Sequence, residues 1–186
     1  MFVERDNKET TVRTFRLIKE WDDILNEDAK KQSISTSALL NKIVERYIFY
    51  ERFRDTVESV TVESSTLAMI LEDLTDKEVQ DIGSGIGLKS VRNELFVRGL
   101  RQDMESVRFL IDFIYDKYGG WFSSNFYSNN DEDVIFLRFR LGKKWGQFLK
   151  SFFSSVFKEA LGVDVNITLF DDSMSINVPA GKTRSR

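Results

Sequence analysis

The feature that most constrains the fold is the direct passage from a strand pattern to a helix pattern in TVRTFRLIKEWDDIL, residues 11–25. Phe15 and Leu17 alternate with Thr14 and Arg16, as they would in a strand with one apolar face. Helical spacing of the apolar residues begins at once, with no glycine, proline, asparagine or serine between the two patterns. The strand is therefore not expected to turn back and pair within its own chain.

Two helices are predicted after this strand. Trp21, Ile24, Leu25 and Ala29 have the spacing of an apolar stripe on the first helix. The cluster QSISTS interrupts the pattern, and its second serine is placed to cap the second helix. The second helix is predicted to extend through Phe53 and to carry the apolar residues Ala38, Leu39, Leu40, Ile43, Val44, Tyr47 and Ile48.

One strand and two short helices bury too little apolar surface to be stable alone, and a lone strand has two unpaired edges. A homodimer resolves both problems, because the two strands can pair antiparallel while four helices cover one face of the ribbon. The predicted dimer core consists of Phe15, Leu17, Trp21, Leu25, Leu39, Leu40, Ile43 and Val44.

Residues 12–50 resemble a ribbon-helix-helix DNA-binding domain of the Arc/MetJ/CopG type. The resemblance is carried by VRTFRL, KEWDDILNEDAKKQ and SISTSALLNKIVERYI, which give the strand, the first helix, the small-residue turn and the second helix without gaps. It covers about a fifth of the chain. Ile18 departs from the pattern, since the family often has a capping Ser, Asp or Pro there.

The resemblance implies an intertwined homodimer whose two-stranded ribbon enters the major groove of double-stranded DNA. The implied base contacts are Val12, Thr14 and Arg16, and Arg16 can donate two hydrogen bonds to O6 and N7 of guanine. Arg13 is implied to hold a phosphate. The start of the second helix would bring backbone N–H groups and hydroxyls to a further phosphate. Those helix positions are Ser35, Thr36 and Ser37.

The charge balance leaves a second interpretation open. Residues 1–54 contain 11 Lys and Arg against 10 Asp and Glu, and the whole chain has a net charge of −3. DNA affinity would then depend on the placement of a few cations rather than on bulk charge. The alternative is an oligomeric interaction or scaffold protein that uses the ribbon-helix-helix unit for dimerisation alone.

The motif GSGIGLKS, residues 83–90, invites comparison with a phosphate-binding loop. Leu88 stands where a Walker A loop needs glycine before Lys-Ser, the preceding TDKEVQDI is charged and helical, and no later apolar strand ends in a Walker-B-like acid. The glycines also lack dinucleotide-binding spacing. The motif is therefore predicted to be a flexible connection between helices, with Ser90 as the next N-cap.

The apolar pattern of residues 101–179 predicts two helix–hairpin units. Their four strands are expected to form one antiparallel sheet with aromatic helices on one face. The full organisation expected for this α+β chain is a flexible arm (1–10), the ribbon-helix-helix domain (11–54), a helical connector (55–100), an α+β assembly or sensing domain (101–179) and a flexible tail (180–186). The predicted inward residues of the last three strands are Ile135, Leu137, Phe139, Leu141, Val163, Val165, Ile167, Leu169, Met174, Ile176 and Val178.

Composition excludes several functional classes. The chain contains no Cys and no His, which removes disulfides, thiolate nucleophiles, zinc sites and Ser-His-Asp triads. No carboxylate pair or phosphate loop stands out, so we expect no enzyme, no cofactor and no metal. No apolar run is long enough for a membrane span, and the N-terminus lacks a signal-peptide core. The expectation is a cytoplasmic, nucleoid-associated regulator, dimeric or tetrameric, with an unknown effector as a possible ligand of the C-terminal domain.

Overall fold

The computed structural model describes residues 10–128 and 132–179, and these form an α+β chain with six α-helices and a four-stranded antiparallel sheet. They divide into two compact units, Met1–Glu45 and Arg46–Arg186. This division falls inside the second helix, whereas the predicted domain boundary lies after residue 54. Residues 1–9 of the predicted arm, residues 129–131 and the predicted tail 180–186 lie outside the described residues.

The first unit contains a helix pair. Helix α1 spans Lys19–Lys31, and helix α2 begins at Thr36 and ends at Phe49, so the predicted extension of α2 through Phe53 is wrong. Residues 10–18 form no strand in this single chain, and no N-terminal ribbon is present among the described residues. The strand predicted here would pair with a second copy. A single chain therefore offers it no partner for inter-strand hydrogen bonds.

The second unit contains the remaining elements. A 3₁₀ turn follows α2, residues 59–63 are irregular, and a π-helix continues directly from α5. The bounds are the 3₁₀ turn Glu51–Phe53, α3 Ser64–Glu72, α4 Asp76–Arg98, α5 Met104–Phe109, the π-helix Leu110–Tyr118, β1 Ser123–Ser128, β2 Glu132–Arg138, α6 Gly142–Leu161, β3 Asn166–Leu169 and β4 Ser173–Pro179.

The sheet has the strand order β1-β2-β4-β3, with every neighbouring pair antiparallel. Ile135 of β2, Ile176 of β4 and Ile167 of β3 lie side by side in register and are buried. Alternate residues point to the more open face, where Arg138 and Thr168 are exposed. The period-2 pattern thus places the apolar residues on the helix-covered face, as the sequence predicts.

An aromatic core lies under this sheet. Helix α6 supplies Trp145, Phe148 and Phe152, whose rings stack in series with centroid separations of 4.8 and 5.8 Å. The π-helix adds Tyr115, whose ring meets Phe152 edge-on at 5.4 Å. Gly162 ends α6 in the left-handed conformation with φ of +66°. Offset and edge-to-face pairs of this kind stabilise a core beyond the area they bury.

Helix α4 corrects the prediction for GSGIGLKS. The segment is the middle of a continuous helix, so the predicted flexible connection and the predicted N-cap at Ser90 are both wrong. Gly83 and Gly87 are buried, and a Cβ on either would collide with the backbone of α6. The glycines allow two helices to approach closely, and the capping box of Thr75 and Glu78 fixes where α4 begins.

Candidate nucleic-acid interface

The side chains expected to read DNA bases lie on the surface of the first unit. Val12, Thr14 and Arg16 are exposed, and so is Arg13, the expected phosphate ligand. Among the residues that the structure describes, none forms a hydrogen bond or ion pair with Arg13 or Arg16. Both guanidinium groups are therefore available to an external anion.

Two other cations of this unit, Lys19 and Lys31, are already engaged by local acids. Lys19 lies 2.5 Å from Asp23, and Lys31 lies 3.0 Å from Glu27, each one helical turn away. These hydrogen bonds raise the pKa of both lysines above their usual value. Engaged lysines of this kind add little to DNA binding. The cations that have no ion pair among the described residues of this unit are Arg13, Arg16, Lys30 and Lys42.

The junction between the extended segment and α1 has no side-chain cap. Ile18 has extended backbone angles, and its carbonyl oxygen accepts hydrogen bonds from the N–H groups of Trp21 and Asp22, both at 3.2 Å. Glu20 and Asp22 stand in the first turn, where carboxylates are favoured by the helix dipole. The helix therefore starts without a capping side chain.

A tight turn joins α1 to α2. Ser33 has a positive φ of 55°, and the N–H of Ile34 donates to the carbonyl of Ala29 at 3.0 Å, which closes the end of α1. The hydroxyl oxygen of Ser35 accepts a 3.1 Å hydrogen bond from the N–H of Ala38. The prediction that Ser35 caps α2 is confirmed. The left-handed residue at Ser33 was not predicted, because serine gives a weak signal for that conformation.

The three expected phosphate-binding positions differ in what they can offer. The Thr36 hydroxyl donates a 2.6 Å hydrogen bond to the side-chain oxygen of Asn26 and so ties α1 to α2. It is not free to donate to a phosphate while this bond holds. Ser37 is exposed, and the first N–H groups of α2 have no partner within the helix. Sequence reasoning missed Asn26, which no periodic signal distinguishes from a solvent-facing residue.

The expected dimer core is largely uncovered in the single chain. Phe15 is 64% exposed and Trp21 58% exposed, and Ile43 and Val44 are also exposed. Leu39 is buried, at 8% exposure, while Leu17, Leu25 and Leu40 are intermediate. Ala29 and Leu39 are the buried hydrophobic residues among 10–45.

Comparisons with protein-family models, with curated proteins and with solved structures give no match for this chain. Over the described residues, no helix is long and apolar enough to cross a membrane. Within the same residues, no three Asp or Glu side chains are grouped in a way that could hold a metal ion.

Proposed function

We propose that this protein is a sequence-specific, double-stranded DNA-binding regulator that acts as a homodimer through residues 11–54. The carrying observation is the apolar surface that the first unit leaves exposed, together with Arg13 and Arg16, which have no ion pair among the described residues. Phe15, Trp21, Ile43 and Val44 supply this surface. A second copy that pairs its own residues 11–17 would cover it and would supply the missing partner strand.

In this dimer the odd-numbered Phe15 and Leu17 face the helices, while Thr14 and Arg16 face outward from the ribbon. A two-stranded ribbon fits the major groove, where an arginine can bind O6 and N7 of one guanine. Arg16 is exposed and unpaired among the described residues, so no internal bond has to break for this contact. The start of α2 would hold the phosphate backbone through the N–H groups near Ser37.

A salt-dependent selection experiment tests the proposal. The full chain is mixed with a random duplex DNA pool at two salt concentrations, and bound sequences are recovered and counted. We expect a palindromic or repeated site to be enriched and its affinity to fall as salt rises. Arg16→Ala should cost roughly 1–3 kcal/mol of binding and relax specificity at one position. Arg101→Ala, which removes an exposed arginine of the second unit, is the matched control.

The alternative is an interaction protein that uses this unit for dimerisation alone, and the near balance of charge in residues 1–54 favours it. Weak binding that Arg16→Ala leaves unchanged would support this alternative. A dimer held by Phe and Leu side chains would also persist at high salt, because salt does not screen apolar contacts.

A further inference from the structure

A cleft of about 690 Å³ opens within the second unit, between the start of α3 and the end of β2. Ser64 and Ser65 line one part of it, and Arg138 and Arg140 line another. Trp121, which follows the π-helix, also contributes to the wall. The volume lies within the range of roughly 300–1,000 Å³ that is usual for small-molecule sites.

The two arginines of the cleft are available to a ligand. Arg138 lies 3.5 Å from Asp172, but the two side chains are 73% and 61% exposed, and an ion pair of this kind contributes little. No described residue forms an ion pair with Arg140, which is exposed. Two guanidinium groups two residues apart offer planar forks of N–H donors, a geometry suited to a carboxylate.

Asp116 is the single acidic residue among the described residues of the lining, and the protein holds one of its carboxylate oxygens. Asp116 accepts hydrogen bonds from the backbone N–H and the hydroxyl of Ser124, at 2.6 and 2.7 Å. These donors satisfy one of its carboxylate oxygens. The lining therefore carries an excess of positive charge, with the hydroxyls of Ser64 and Ser65 as further donors.

The aromatic wall is fixed by the core beneath it. The ring of Trp121 lies 4.9 Å from the ring of Tyr115 and 5.5 Å from that of Trp145, centroid to centroid. The indole N–H of Trp145 donates to the carbonyl of Trp121 at 3.1 Å. A rigid, half-buried indole beside two arginines combines an apolar surface with anion recognition.

We propose that this cleft binds a small aromatic carboxylate, with its ring against Trp121 and its carboxylate between Arg138 and Arg140. The second unit would then serve as a sensing domain. Binding at the cleft is independent of whether residues 11–54 bind DNA.

Isothermal titration calorimetry on the full chain, without DNA, tests this site. The probes are 2-naphthoate and its neutral counterpart 2-naphthalenemethanol, which share a ring system and differ in charge. We expect saturable binding of the carboxylate and about ten-fold weaker binding of the alcohol, the size expected for a lost charge-assisted hydrogen bond. Arg138→Gln and Arg140→Gln should each weaken the carboxylate about ten-fold. Arg101→Gln should have no effect.

Three results would overturn the assignment. The first is that naphthoate gives no saturable heat up to millimolar concentration. The second is that the alcohol binds as tightly as the acid. The third is that both arginine substitutions leave the affinity for naphthoate unchanged. Both arginines are exposed, so their glutamine variants are expected to fold, and unchanged thermal unfolding midpoints would verify this. A loss of naphthoate binding that keeps DNA binding intact would also separate this site from the function proposed for residues 11–54.

Discussion

Gly83 of α4 faces the carbonyl oxygen of Phe148 on α6 so closely that a Cβ built on Gly83 would lie 2.5 Å from that oxygen. Gly87, one turn further along, meets the carbonyl oxygen of Phe152 in the same way. Real Cβ atoms do not approach a backbone oxygen at this distance. The two helices are therefore as close as glycine allows, and their separation depends on both positions.

Alanine at either buried glycine should destabilise the second unit. We expect Gly83→Ala and Gly87→Ala each to lower the free energy of unfolding by roughly 1–3 kcal/mol, because α4 must move away from α6. Gly85 has nothing within 4 Å of a built Cβ. Gly85→Ala should instead stabilise the protein by about 0.5–1 kcal/mol through helix propensity. Urea unfolding measures all three, and a stabilising Gly83→Ala would show that the helices are further apart.

Substitution of the buried Arg98 is expected to lower the free energy of unfolding strongly. Its side chain is 4% exposed, pairs with Glu94 at 2.7 Å, donates to the carbonyl of Phe49 and lies 4.3 Å from the ring of Phe53. Arg98→Met leaves the Glu94 carboxylate buried without this cation. We expect a loss of roughly 3–5 kcal/mol in the free energy of unfolding.

Arg92, on the same helix, is the matched control for Arg98. It pairs with Glu159, but its side chain is 65% exposed. Arg92→Met should cost less than about 1 kcal/mol. The double variant Glu94→Leu, Arg98→Met should be more stable than Arg98→Met alone, since it leaves no unpaired buried carboxylate. Equal losses for Arg98→Met and Arg92→Met in thermal unfolding would contradict this account.

The Asp112 carboxyl is expected to make the free energy of unfolding depend on pH, with the folded state favoured at low pH. Burial, followed by repulsion from Asp116, raises the pKa of Asp112 above its ordinary value of 3.8, while Arg108 and Lys117 partly oppose this. The folded state then holds the proton more tightly than the unfolded state. This contribution to stability is fully present below pH 3.8 and is lost as pH rises through the raised folded pKa.

Asp112→Asn should accordingly be more stable than the parent protein at neutral pH, and the difference should shrink as pH is lowered toward 3.8. Thermal unfolding midpoints over a pH series measure the effect. Asp171→Asn, at an exposed position after β3, removes the same charge without changing a buried site and is the control. An advantage of Asp112→Asn that persists unchanged into acid would argue against titration of this carboxyl.

The sheet and α6 could be predicted because their apolar residues keep one period throughout. Ile135 and Leu137 alternate with exposed or intermediate residues on β2, and Phe148 and Phe152 recur at helical spacing on α6. Helix α4 could not be predicted in the same way. Gly83 normally signals a break, and its role depends on α6, which lies more than 60 residues later in the sequence.

Only part of the candidate interface could be predicted from local sequence signals. The helix pair and its cap at Ser35 follow from local signals, and both are present. The proposed ribbon would need a second chain, and residues 10–18 form no strand in the single chain. The bond between Asn26 and Thr36 and the positive φ of Ser33 carry no periodic signal. The π-helix Leu110–Tyr118 could not be predicted either, because its i→i+5 backbone bonds carry no side-chain signature in the sequence.

Phe15 provides the sharpest test of the proposed dimer. Its side chain is 64% exposed in the single chain and would be enclosed by the helices in the dimer. Phe15→Ala should therefore weaken dimerisation by roughly 3–5 kcal/mol, as other large-to-small core changes do. Sedimentation velocity over a concentration series measures the change in the dissociation constant.

Thr14→Ala is the control for Phe15→Ala, because the neighbouring side chain faces the opposite side of the ribbon. It should leave the dimer intact and reduce DNA binding alone. If both variants have the same dimer dissociation constant as the parent protein, Phe15 lies outside the interface. The strand register proposed for Arg16 is then wrong as well. If Thr14→Ala dissociates and Phe15→Ala does not, the two faces of the ribbon are reversed, and the odd-numbered side chains would be the ones that meet DNA.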